Sequence, residues 1–183
     1  MLKNSINANA SVDQRYNVAL RSLHWLVFLA VVVAVLTIEL EDVYAKGTPG
    51  RVLMRTTHYV AGFSVLILMT MRLLARTLLT APSAVPGPNW MQLSARFAHL
   101  ALYGLMFAMP ILGIASVLLA GKPIDIYGFV LTPPFQMDRA ISKTFKNLHE
   151  IGATFVYILV GLHAAAALWH QFVLKDHIFK RVL

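Results

Sequence analysis

The sequence predicts an all-α integral membrane protein, a single domain over residues 1–183 in which four transmembrane helices form a bundle. Three observations predict it. Hydrophobic residues fill 58% of the positions and charged residues 13%, where a soluble domain carries roughly a quarter charged residues. Mean hydropathy is +0.66, so lipid rather than water is the main solvent. The apolar residues gather in four stretches, separated by segments that hold nearly all the charge, and a bilayer needs roughly 20 such residues per helix.

The first helix is expected over residues 22–40. Residues 1–16 ahead of it are polar and no small-residue cleavage pattern follows it, so it is expected to stay as an anchor rather than act as a cleaved signal. The second is expected over 56–79, because Arg72 and Arg76 near its end can send charged heads to the interface on long apolar stems. The stretch APSAVPGPN at 81–89 holds three prolines and a glycine, which break helix and make a short link. The third helix is expected over 97–121. Residues 122–148 mix Pro133-Pro134, aromatics and charges, which suits a folded cap over one mouth of the bundle. The fourth helix is expected over 149–174.

An even number of spans puts both termini and the proline-rich link on one side. Nine of the 16 basic residues fall there (Lys3, Arg15, Arg21, Arg72, Arg76, Arg96, Lys175, Lys180 and Arg181), which favours cytoplasmic termini. Six of the eight carboxylates lie on the opposite side. Trp25, Trp90 and Trp169 all fall near the inner interface, where an anchoring belt belongs. The net charge of +8 therefore reads as membrane flanks and not as a nucleic-acid surface.

Cysteine is absent, which excludes disulfides, thiolate-bound metal, iron–sulfur clusters and the C-x-x-C-H attachment of c-type haem. Any metal must rest on histidine. Of seven histidines, six lie in or beside spans, and an imidazole in hydrocarbon needs a partner. His149 and His163, 14 residues apart, are separated by about 21 Å of helix rise and fall within ~40° of one face. Neutral imidazole is a standard axial ligand of haem iron, so this helix offers one ligand to each of two stacked b-type haems. Depth pairs His58 with His149 toward the outer side and His24 with His163 toward the inner side, provided that helices 1 and 2 both pack against helix 4.

Other residues have two readings each. Gly62, Gly113, Gly152 and Gly161 make room for a flat macrocycle or for a neighbouring helix. His99 opens helix 3 with no evident partner, in an ordinary hydrogen-bonded role or as a ligand that swaps with His24. His170 serves a substrate pocket or sits solvated at the interface, and His177 follows in a basic tail. Arg72 and Arg76, one turn apart, balance haem propionates or anchor the topology.

The segments HWLVFL from His24, RLLAR from Arg72 and GLHAAAALWH from Gly161 closely resemble the bacterial cytochrome b561 family, over about residues 15–173. The resemblance implies a di-haem protein of the bacterial inner membrane, with His24, His58, His149 and His163 at the four axial positions. It further implies that superoxide gives its electron to the outer haem and that ubiquinone is reduced near the cytoplasmic side, where His170 matches a family histidine near the quinone. The chain departs from the family before Arg15 and in the outer connections 44–51 and 123–146. Superoxide is an anion, so Lys46, Arg51, Arg55, Arg139, Lys143 and Lys146 are expected to steer it inward, unless these charges are merely solvated. A second reading is a haem-bearing anchor subunit, fed by a periplasmic hydrogenase or dehydrogenase partner. A histidine-lined metal transporter is weaker, because the span interiors offer no carboxylate.

Overall fold

The computed structural model describes residues 15–80, 82, 87–134, 136–176 and 178–183. Most of the proline-rich link, residues 1–14 of the N-terminal polar segment and His177 lie outside the described residues. Four helices are long and apolar enough to cross a membrane: α1 (Val18–Glu41), α2 (Pro49–Leu78), α3 (Asn89–Leu119) and α4 (Arg139–Trp169). A π-helical turn, His170–Leu174, continues α4, and a 3-10 turn, Ile178–Arg181, ends the chain.

All four helices begin earlier than the expected residues 22, 56, 97 and 149. The expected bounds follow the edge of the uncharged stretches, but Arg, Lys, Met and Glu are good helix formers and charge alone does not end a helix. Local chemistry sets the starts instead. Pro49 occupies the first turn of α2, where its missing N–H costs nothing, and the Asp138 carboxylate caps α4 by accepting from the Ile141 N–H at 2.9 Å. Asn17 caps α1 through Ala19 at 2.9 Å. With 31 residues each, α3 and α4 are about 46 Å long, so their end turns stand clear of a hydrocarbon layer of about 30 Å. His58 and His149 therefore sit two to three turns inside their helices rather than at the beginnings.

The helices form two leaves, α1 along α2 and α3 along α4, joined by a smaller α2–α3 seam. Helix α4 packs closely on neither α1 nor α2, contrary to the condition set for the histidine pairs. A side chain bridges that opening instead: the Tyr157 hydroxyl donates to Glu39 on α1 at 2.8 Å. The buried core is a narrow cluster of Val27, Val65, Met69, Met106 and Val156, with one or more residues from every helix. Much of the remaining apolar surface faces outward, as it must when the surroundings are lipid.

The outer connection is a cap over one mouth only in its first half, since residues from Arg139 onward belong to α4. Strands β1 (Ile124–Ile126) and β2 (Phe129–Leu131) pair antiparallel. Their two-residue turn places Tyr127 at φ 49° and Gly128 at φ 95°, the positive values that a tight hairpin needs. Asp125 accepts from the Gly128 N–H at 2.8 Å. Ile124, 1% exposed, is wedged against α2 and α3, and the Tyr127 and Thr57 hydroxyls share a hydrogen bond of 2.9 Å. At the opposite end the approach to α1 and the tail are stitched together. The Tyr16 N–H donates to the Arg181 carbonyl at 3.0 Å and the Trp25 indole to Val182 at 2.8 Å.

Gly152 allows the close approach of α3 and α4, because a Cβ there would come within 2.5 Å of Met109 Sδ. Gly152→Leu is expected to cost about 1–3 kcal/mol through overpacking, read as a lower melting temperature of the detergent-purified protein. An unchanged melt would show that this contact does not limit stability.

Candidate cofactor site

At the outer level, His58 on α2 faces His149 on α4, with ring centroids 6.2 Å apart and planes at 84°. Each ring is fixed by a neighbouring helix. His58 Nδ1 lies 2.8 Å from the Ala34 carbonyl of α1, and His149 Nδ1 lies 2.9 Å from the Met109 carbonyl of α3. A carbonyl only accepts, so Nδ1 carries the proton in both rings and Nε2 keeps its lone pair. A hydrogen bond from the nitrogen that does not bind is the usual device for orienting a metal-binding histidine.

At the inner level, His24 on α1 faces His163 on α4 at 6.4 Å and 73°. His99 on α3 is nearer still to His163, at 5.6 Å and 67°. The sequence reading gave His99 no partner, because the rotation of α3 about its axis cannot be read from spacing along one helix. Among the described residues these three rings form no hydrogen bond. Arg72 acts electrostatically on all three and lies over the Tyr103 ring at 5.7 Å. Arg76 lies over Tyr16 at 5.9 Å. Neither arginine forms an ion pair among the described residues, so both are free to meet anionic groups of a cofactor or of lipid.

The donor set fits haem iron. An imidazole nitrogen lies about 2 Å from a first-row metal such as zinc, so two rings sharing one ion have centroids roughly 6 Å apart, as the facing pairs do. No group of three or more histidine, aspartate or glutamate side chains able to hold a bare ion occurs among the described residues. Two ligands suffice only where a macrocycle supplies the rest. A cavity of about 940 Å³ contains His58 and His149, and Gly62 and Gly113 line it. A Cβ on Gly62 would project into open space, whereas one on Gly113 would press His149 at 3.1 Å. Gly161 also faces open space. Of the four glycines singled out in the sequence, Gly152 and Gly113 make room for a side chain of the facing helix, Met109 and His149 respectively, and Gly62 and Gly161 adjoin open space.

Cations rim the outer cavity, but not all are available. Arg51 pairs with Glu41 at 3.1 Å and Asp42 at 2.7 Å, Arg55 pairs with Glu41, and Lys146 pairs with Glu150 at 3.0 Å. Lys122, Arg139 and Lys143 line the same cavity and form no ion pair among the described residues. Lys46 does not line it. Glu41, 6% exposed, is the acid that neutralises two of the expected steering residues. Nothing in its sequence context marks it as buried.

His170 stands apart from the inner cluster. Its Nδ1 lies 2.5 Å from an Asp176 carboxylate oxygen, and the other Asp176 oxygen accepts from the Ile178 N–H at 3.2 Å. The π-helical turn that begins at His170 and the left-handed Lys175, φ 53°, bend the chain back so that this pair can form. π-Turns recur at functional sites. Asp176 was not anticipated, since a partner six residues away is reachable only through that bend.

The family profile described as prokaryotic cytochrome b561 matches residues 15–183. The chain is 37% identical over 162 residues to cytochrome b561 homolog 1 of Escherichia coli K12, an overlap covering 88% of this chain and 92% of that protein. It is 32% identical over 173 residues to the probable superoxide oxidase CybB of Yersinia pestis, covering 94% and 97%. To cytochrome b561 homolog 2 of E. coli K12 it is 30% identical over 181 residues, covering 94% and 93%.

Proposed function

The chain belongs to the prokaryotic cytochrome b561 family, a family of membrane electron-transfer proteins that bind b-type haem, and on that premise we propose that it is a di-haem superoxide:ubiquinone oxidoreductase of the bacterial inner membrane. The observation that carries the di-haem reading is the pair of facing imidazole sets, at two depths, with the spacing of rings that share a metal ion. His58 and His149 hold the outer haem, and His24 and His163 the inner one. Arg72 and Arg76 provide counter-charge for propionates at the inner level. Bound haem supplies the one-electron acceptor and donor that the side chains lack.

The unpaired Lys122, Arg139 and Lys143 give the outer mouth a net attraction for a small anion. Superoxide loses one electron there and leaves as dioxygen. Two such events, with two protons, convert one ubiquinone to ubiquinol at the inner end. The carboxylate of Asp176 holds the His170 imidazole in one tautomer and orientation, which suits it to hand a proton to the reduced quinone. Both termini lie on the cytoplasmic side in this arrangement. The superoxide assignment draws support from the relative named probable superoxide oxidase and from the cationic mouth.

His149→Ala is expected to remove one of two haems per chain while sparing the inner one, read from the reduced-minus-oxidised spectrum and the haem-to-protein ratio. An unchanged two-haem spectrum would refute the outer assignment. Superoxide added to the purified, oxidised protein without any partner should reduce haem promptly and then yield ubiquinol; no reduction would point to an anchor subunit fed by a partner protein. The rate should fall steeply as ionic strength rises. Reversing Lys122, Arg139 and Lys143 to Glu should slow it about 10-fold or more at low salt. A flat salt dependence would sink the steering role.

A further inference from the structure

Three imidazoles converge on the inner level, where one iron has two axial positions. Building on the di-haem reading above, we propose that His99 is a reserve axial ligand of the inner haem, able to replace His24 opposite His163. The distances allow either pairing. His163 faces His24 at 6.4 Å and 73° and faces His99 at 5.6 Å and 67°, and both values bracket the 6.2 Å of the outer pair.

The two levels also differ in how their rings are held. Carbonyls of α1 and α3 lock His58 and His149. His24, His99 and His163 have no such bond among the described residues, so each can swing about its side-chain torsions. The backbones favour His99 as well. Helix α3 packs along α4, which carries His163, whereas α1 packs closely on α2 and not on α4. His24 must therefore reach across the opening between the leaves, while His99 belongs to the same leaf as its partner.

The exchange is a ligand substitution. The coordinate bond from His24 breaks, one from His99 forms, and no electron is transferred, since both rings donate a lone pair in the neutral state. Iron keeps two imidazoles and stays low-spin.

The test uses the full-length protein, purified in detergent, with haem per chain and electron paramagnetic resonance as readouts. His24→Ala is expected to keep two haems per chain, with the inner low-spin signal shifted because the ring orientation differs. His99→Ala should keep two haems and the wild-type signal, and the double variant should fall to one haem. The outer haem reports folding throughout; if H24A loses both haems, H24Q takes its place. One haem per chain or a high-spin inner iron in H24A would overturn the proposal. So would two haems in the double variant, or loss of the inner haem in H99A. His163→Ala with two haems, or wild-type protein with fewer than two, would instead refute the di-haem reading itself, and the reserve-ligand proposal with it.

Discussion

A polar ring in hydrocarbon has to be satisfied by something, and this bundle places five of them inside its spans. Other features follow from that constraint. The outer two rings take carbonyls from helices other than their own, which consumes one nitrogen and aims the other into a cavity. The helices that bear the His58–His149 and His24–His163 pairs do not close on one another. The bundle is instead held by a narrow core, an α2–α3 seam and a hairpin seated on Ile124.

The number of helices, their order and the shared face of His149 and His163 were legible because they depend on local pattern alone. Helix starts were not, since Pro49 and Asp138 set them and both lie outside the uncharged stretches from which the bounds were drawn. The pairing of His58 with His149 and of His24 with His163 followed from depth. The proximity of His99 to His163 did not, because depth says nothing about which way a third helix is turned. Charge was the least legible property. Arg51, Arg55 and Lys146 look like free cations in the sequence, yet each has a carboxylate partner brought to it by the fold, and Lys122 was overlooked as a residue of the rim.

The two ends of the molecule are built on different principles. At the outer end, both rings are held by carbonyls of neighbouring helices and the cap is tied by Tyr127 to Thr57, beside a cavity with cations on its rim. At the inner end the rings form no hydrogen bond among the described residues, the last helix unwinds through a π-turn, and the tail folds back to meet Trp25 and Tyr16.

The sparse contact between α4 and the α1–α2 leaf bears on what a bound cofactor does for the fold. Tyr157 and Glu39 supply a polar tether across that side, and the α2–α3 seam and the narrow core make the rest of the connection between the leaves. Each leaf is a pair of consecutive spans. A flat cofactor held between His58 and His149 would thus itself become a contact between the leaves, supplying packing that α4 does not make with α1 or α2.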